Sequence, residues 1–415
     1  MVPSVAARDP LWPDHVVRLG DPVPQATALV LRPARLPDPT KIAPRQWLYG
    51  TYLLRGFVSV LVAPGGTGKS SLAMAIAAAL ATGRKLFDQH VFAQVNAAIL
   101  NLEDPLEELD RRLAAIMLRH QIDETEMEGR LFMHSGEDRR IVMAAMDDHG
   151  YQVIHPDEEA LIAEIRAHNI GVIIVDPFAE SHSLEENSNP HMVAAAAAWR
   201  RVARATNCAI LLVHHVRKAG TGTKPGQTND IDQARGAKAL TDSARVGLLL
   251  SPMEAADGEM LGIEPRDQWQ YVRLDNAKSN MAPRAGSATW FRLETVDLHN
   301  GTQDYPNGDH VAAVVAWKPP SPLGEQPSSA LNEALDAIAA GPGEGALYSR
   351  RKYGSGDRWA GTVLMRVCGF TEGQAQNVLA EWLKTGLLLE REYKDAGRRK
   401  TVTGVVVDNK KRPTV

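Results

Sequence analysis

The chain has 415 residues, of which 44% are hydrophobic and 23% charged, with a net charge of −4 at pH 7. That length and apolar content suit two or three globular units with a sizeable core and exclude a fibrous or wholly disordered chain. Its two cysteines, Cys208 and Cys368, exclude a disulfide framework or a Cys-based zinc site and point to a reducing, cytoplasmic compartment. With neither a signal-peptide pattern nor an apolar run of about 18–20 residues, the chain is expected to have no membrane span.

Residues 1–40 carry Pro3, Pro10, Pro13, Pro22, Pro24, Pro33, Pro37 and Pro39 and read as an extended or disordered arm. Residues 41–317 read as a core of alternating strands and helices. Its first strand, Phe57–Val62, runs into Ala63-Pro64-Gly65-Gly66-Thr67-Gly68-Lys69-Ser70, and a helix follows from Ser71 to Leu80. Strand, glycine-rich turn and helix are the setting of a Walker A phosphate loop. Gly65, Gly66, Thr67, Gly68, Lys69, Ser70 and Ser71 are the candidate nucleotide-binding residues. Their backbone N–H groups and the helix dipole attract phosphate, Lys69 reaches the β- and γ-phosphates, and Ser70 ligates Mg²⁺. Ala63 stands where the strict pattern has its first glycine, which costs little while its φ stays negative.

Ala97–Leu102 is the next buried strand, ending at Glu103-Asp104, and Pro105 opens a helix bearing Leu106, Leu109, Leu113, Ile116 and Met117. Residues 121–157 read as an insertion with a short strand at Leu131–Met133. Asp157 then caps a helix before the strand Ile170–Asp176. A helix begins at Pro190, and the strand Cys208–Val213 leads to His214-His215. Later strands are predicted at Val246–Leu250, Trp269–Leu274 and Ala288–Leu293. Such uniformly apolar strands between helices imply a parallel sheet covered on both faces.

Residues 318–330 are a Pro/Ser-rich linker. In 331–415 three helices are predicted, the third opened by the capping box Thr371–Gln374. Strands Leu387–Tyr393 and Thr401–Val407 follow, joined by the basic turn 394–400. That is a winged-helix-like arrangement, whose third helix can enter a major groove. Residues 341–415 hold 14 Lys and Arg against 8 Asp and Glu, and the rest of the chain 32 against 42. A basic tail on an acidic body suits nucleic acid, with Arg398, Arg399 and Lys400 as candidate contacts; a winged helix that binds protein is the alternative.

The core's chemistry rests on residues at strand ends. Asp176 sits where a Walker B aspartate holds Mg²⁺. Glu103 or Asp104 is the candidate base that polarises the attacking water, and the sequence alone does not orient them. His214 and His215 point to opposite faces of a strand and so cannot chelate one metal together, but either can report on the γ-phosphate. The Gly-rich stretch 217–229, with Lys218 and Lys224, is a candidate DNA-phosphate contact or else a plain surface loop. Arg245 is either an arginine supplied to a neighbouring subunit's site or a partner of Asp242.

In their joint order, Trp47-Leu48-Tyr49-Gly50, Val62–Ser70, Leu102-Glu103-Asp104-Pro105, Val172–Phe178, Leu212-Val213-His214-His215 and Ala234-Arg235-Gly236-Ala237 resemble the RepA-like hexameric replicative helicases of plasmids and prophages. These belong to the RecA-like P-loop ATPases, and the resemblance covers about Trp47 to Leu293. It implies a homo-oligomeric ring of six subunits using ATP and Mg²⁺ between neighbours, with single-stranded DNA in the channel. It also implies that Glu103 is the catalytic carboxylate, Asp176 the Walker B residue and one of His214 and His215 the sensor. Asn276–Asn280 resembles a segment that carries a Lys and an Arg finger in related helicases. Asn280 replaces that arginine, which leaves Arg245, supported by Lys278, as the candidate finger.

The expected fold is therefore α/β, a RecA-like P-loop ATPase core with a C-terminal winged-helix-like domain. Its expected function is that of an ATP-hydrolysing replicative DNA helicase. Duplex DNA or a replication protein is the expected partner of the tail. A nucleotide-switched DNA-binding regulator or loader acting through 331–415 is the alternative, and a small-molecule kinase is disfavoured by a water-activating Glu103.

Overall fold

The computed structural model describes residues 31, 33–34, 37–150, 152–216, 237–282, 288–320, 326–343, 345–354, 356–395 and 400–413. A short antiparallel pair, β1 (Trp47–Tyr49) and β2 (Leu53–Leu54), leads into β3 (Val58–Pro64). Next come α1 (Lys69–Thr82), β4 (Asn96–Asn101), α2 (Leu106–His120), α3 (Glu124–Met127) and β5 (Leu131–Ser135). A small hairpin of β6 (Ala145–Met146) and β7 (Val153–Ile154) precedes α4 (Glu158–Ala167), β8 (Ile170–Asp176), α5 (Asn189–Thr206) and β9 (Ala209–Val216). The series continues with α6 (Ala237–Ser243), β10 (Val246–Pro252), α7 (Ala255–Leu261), β11 (Tyr271–Ser279), β12 (Thr289–Asp297) and β13 (His310–Trp317).

These strands form a nine-stranded sheet in the order β13-β12-β11-β10-β3-β9-β8-β4-β5. Every pairing from β10 to β5 is parallel. Parallel strands need helical crossovers, and helices on both faces demand strands apolar on both sides. All seven residues of β8 are buried accordingly. α1, from Leu72 to Ala81, is apolar all round and buried, and with α2 it covers one face against Leu61, Ile99, Ile174 and Val213. α4 and α5 cover the other face, where Ile165 and Trp199 meet Val60, Ile173 and Leu212.

The chain divides into two compact units. One comprises the residues up to Ser251 with Val272–Ala316; the other comprises Pro252–Tyr271 with Trp317–Val415. In the second unit α8 (Ser328–Ala340), α9 (Gly361–Cys368) and α10 (Glu372–Lys384) enclose Leu335, Ile338, Leu364, Val378 and Trp382. An antiparallel hairpin, β14 (Leu388–Asp395) and β15 (Lys400–Val407), completes that core with Leu388 and Val405. The predicted capping box is present: the Thr371 hydroxyl accepts from the Gln374 N–H, and the Gln374 side chain accepts from the Thr371 N–H.

Several details differ from expectation. β13 was not predicted, and it supplies Val314 to the α1 face. Trp269 lies in a 3-10 turn, and the strand begins only at Tyr271. Helix α8 starts at Ser328, inside the expected linker. Asp157 does sit at the start of α4, but its side chain caps nothing: it holds Arg139 and the Val142 N–H instead. Of the expected arm 1–40, only residues 31, 33–34 and 37–40 are among those described.

Trp199 is fully buried and its indole N–H donates to Ser181 Oγ at 3.1 Å. It thereby ties α5 to the 3-10 turn Phe178–Ser181 that follows β8. Trp199→Ala is expected to cost about 3–5 kcal/mol, from lost burial plus an unfilled cavity. Trp199→Phe should cost less, because most of the volume is kept. Chemical denaturation of the two variants checks both the loss and the order.

Candidate active site

The loop between β3 and α1 depends on two glycines in the left-handed region, Gly66 at φ +78° and Gly68 at φ +74°. At Gly68 the requirement is doubled, because a Cβ would stand 2.5 Å from Leu293 Cδ2 on β12. Ala63 is buried, and it is not among the residues with positive φ. The Thr67 hydroxyl donates to Pro64 O at 2.9 Å and closes the turn. Above Gly65 and Gly66 a Cβ would meet nothing within 4 Å. The cradle is lined by backbone and open on that side, as phosphate binding needs.

Lys69 is 6% exposed, and among the described residues no carboxylate approaches it to ion-pair distance. Burial lowers its pKa, opposed by the fields of Asp176 and Glu103. Asp176 is also buried, which raises its pKa, while a hydrogen bond from Ser70 and the nearby Lys69 and His215 charges act in the opposite sense. A buried cation without a contact partner, beside a hydroxyl already bonded to a carboxylate, fits a phosphate with a divalent cation.

Glu103 and Asp104 lie just beyond β4, whose Asn101 stands in register with Asp176 of β8. The two carboxylates have different surroundings. Asp104 Oδ2 receives Arg112 Nη1 at 2.7 Å and Asn101 Nδ2 at 3.3 Å. The Glu103 side chain is 51% exposed, and His215 Nε2 stands 3.9 Å from its Oε2. It accepts no hydrogen bond among the described residues. Of the two, only Glu103 is free to meet a water.

Strand alternation separates the histidines. Leu211 and Val213 of β9 face α1, whereas Ile210 and Leu212 face α5. His215 therefore shares the α1 face with Asp176 and Glu103. His214 points into the opposite layer, 5% exposed, with its ring edge-on to Phe178 at 6.1 Å. Burial pushes its pKa down to about 4, with the His215 and His182 charges adding to the shift. His182, on the other side of Phe178, is likewise lowered to about 4 by burial.

Arg245 is exposed at the amino edge of the sheet, its N–H bonded to Val58 O at 3.1 Å. The full length of β3 separates it from the phosphate loop of its own chain, about 20 Å at 3.3 Å per residue. Asp242 pairs with Lys278 at 3.8 Å rather than with Arg245. Lys278 Nζ also donates to Thr241 O at 3.0 Å and Asp242 O at 2.9 Å, capping the end of α6. Lys278 is thus tied in place, while Arg245 has no ion-pair partner among the described residues.

Lys218, Lys224, Arg398 and Arg399 lie outside the described residues, and Lys400 is exposed at the start of β15. In the second unit the first turn of α10 packs against α7. Thr371 Oγ1 donates to Glu259 O at 3.4 Å, and a Cβ on Gly373 would stand 3.4 Å from Met260 Cα. The first turn of this third helix is therefore covered by a neighbouring helix. Sequence reasoning missed Arg112, although its place two turns into α2, behind Asp104, was a legible helical spacing. It also missed Asn101 and Leu293, whose roles depend on contacts between elements.

Residues 26–221 match the family model described as an AAA domain. Two solved structures are similar. The RadB recombinase is 14% identical, with a TM-score of 0.35, covering 58% of this chain and 88% of its own. A KaiC-like protein from Pyrococcus horikoshii is 13% identical, with a TM-score of 0.38, covering 64% and 94%. With its phosphate loop after β3 and Asp176 ending β8 in a parallel sheet, the first unit has a RecA-like P-loop ATPase fold.

His214 and His182 are held neutral in the folded chain with pKa values near 4, against about 6.5 when unfolded. The unfolded chain binds more protons between those values, so stability is full above about pH 6.5 and falls as pH drops toward 4. Thermal melts of the wild type should show that decline. His214→Phe should flatten it, and an unchanged slope would contradict the assignment.

Proposed function

We propose that this protein is an ATP-hydrolysing ring motor of the RepA-like type, a replicative DNA helicase that moves along single-stranded DNA. The observation that carries this reading is the division of charged groups between the two edges of one sheet. Lys69, Ser70, Asp176, Glu103 and His215 gather at the carboxyl edge, and Arg245 stands at the amino edge with no ion-pair partner among the described residues. A site completed by an arginine from the next subunit accounts for both.

In the proposed reaction the backbone of 65–71 and Lys69 hold the β- and γ-phosphates of ATP. Ser70 and Asp176 are the groups that would hold Mg²⁺, which neutralises charge between those phosphates when bound. Glu103 takes the proton of the attacking water, which the exposure of its carboxylate allows. Its neighbour Asp104 is committed to Arg112 and is unsuited to that role. His215, close to both Glu103 and Asp176, senses whether the γ-phosphate is present. Arg245 of the adjacent subunit stabilises the transition-state charge. Lys218 and Lys224, beyond β9, are the proposed DNA contacts.

For the C-terminal unit, we favour contact with nucleic acid or a replication protein through the hairpin end at Lys400, because the first turn of α10 is already engaged by α7.

Purified protein with ATP and Mg²⁺ should displace a strand from a forked substrate; failure of displacement alongside robust ATPase activity would sink the motor. Mixing inactive Lys69→Ala with inactive Arg245→Ala subunits tests the shared site. Random assembly should restore about a quarter of the wild-type ATPase rate, because a quarter of interfaces then pair an intact lysine with an intact arginine. No recovery would argue against an arginine acting between subunits.

A further inference from the structure

Glu103 sits on a turn whose two backbone N–H groups, at 103 and 104, are both held by one side chain. Asn101, 3% exposed, ends β4 between Ser135 of β5 and Asp176 of β8. Its Oδ1 accepts the Glu103 N–H at 3.0 Å and the Asp104 N–H at 2.7 Å. Its Nδ2 donates to Asp104 Oδ2 at 3.3 Å. The same carboxylate oxygen receives Arg112, whose Nε reaches Glu108 Oε1 at 3.0 Å, so Asp104 is anchored to α2. Ser135 Oγ donates to Asp104 O at 2.8 Å, and Leu102 N donates to Asp176 O at 2.9 Å. Apart from the Arg112–Glu108 pair within α2, these bonds end on the turn or on Asp104, and none uses the Glu103 carboxylate.

We propose that Asn101 is a positioning residue for hydrolysis: its amide locks the 101–104 turn to Asp104 and so fixes where the Glu103 carboxylate stands. This rests on the reading of Glu103 as the base. The chemistry of residue 101 is narrowly specified. It must accept two backbone N–H groups with one atom and donate to a carboxylate with another. Aspartate keeps the acceptor but sets a second negative charge against Asp104, and alanine keeps neither function. A base held in advance needs no reorganisation as the water attacks. The amide orientation follows from its partners, since only nitrogen can donate to Asp104 and only oxygen can accept both N–H groups.

The pairing can be inverted, which gives a test that a merely structural role would not pass. The double variant combines Asn101→Asp with Asp104→Asn. Its carboxylate at position 101 still accepts both N–H groups and also accepts from the amide nitrogen placed at position 104. Because residue 101 and Arg112 meet the same Asp104 oxygen in the native chain, that amide must turn to bring its oxygen to Arg112 while its nitrogen faces position 101. The full-length chain would be assayed for ATPase kcat and KM, and for the affinity of a fluorescent non-hydrolysable ATP analogue. Asn101→Ala and Asn101→Asp should lower kcat about 10- to 100-fold, the scale of a misplaced catalytic group, with analogue affinity kept within about twofold. The double swap should recover at least about tenfold of the loss caused by Asn101→Asp. Glu103→Gln is the reference: it should bind the analogue and not hydrolyse ATP.

Unchanged kcat in both single variants, or a double swap as slow as Asn101→Asp, would overturn the positioning role. So would analogue affinity that falls in step with kcat. Active Glu103→Gln would instead overturn the assignment of the base itself, which keeps the two failures apart.

Discussion

Parallel pairing of β3 with β9, β9 with β8 and β8 with β4 brings four strand ends to one edge of the sheet in fixed register. Val62 lies opposite His214 and Ala63 opposite His215, while Asn101 lies opposite Asp176. Residues far apart in sequence, Lys69, Glu103, Asp176 and His215, converge because of that register alone. A slip of one residue in β9 would exchange the two histidines between faces, placing a buried neutral imidazole where a polar group is needed. The apolar load of the strands and of α1 is what prevents the slip.

Much of this was legible in the sequence, and for identifiable reasons. The phosphate loop announces itself through glycines that only a positive φ requires, followed by a helix of apolar residues. The capping box at Thr371 is a local pattern, and local patterns survive folding. Asp176 could be placed because an acidic residue ending an apolar run has few other positions to take. Spacing alone did not separate Glu103 from Asp104, because the bond that ties Asp104 down comes from Arg112, on a helix whose orientation is a tertiary fact. The sequence does state that His214 and His215 face opposite ways, but not which face carries α1. β13 escaped notice although the turn signal Asn307-Gly308 stands just ahead of the apolar run Val311–Ala316. Nor does any local feature of 252–271 foretell its grouping with the C-terminal helices, where Gly262 lies against Gln374 and Gly373 against Met260.

Part of the charge in the C-terminal unit is paired within the fold. Arg358 is bound to buried Asp395, Arg350 to Glu390, Lys352 to Glu372 and Arg412 to Asp336. Several of the cations that make this region basic are therefore structural. The outward side of α10 offers Gln376, Glu381 and Lys384, with no excess of positive charge. A basic composition and a basic contact surface are different properties. In the first unit Lys278 is likewise committed, to capping α6, whereas Arg245 has no ion-pair partner among the described residues.

A hydrolytic site shared between subunits is the condition on which the proposed motor depends. Its most direct test is the mass of the full-length protein in solution with a non-hydrolysable ATP analogue, Mg²⁺ and single-stranded DNA. A closed oligomer, six subunits by the helicase resemblance, is the predicted result. A chain that stays monomeric under those conditions while hydrolysing ATP at full rate would contradict it, since Arg245 could then reach no phosphate at all.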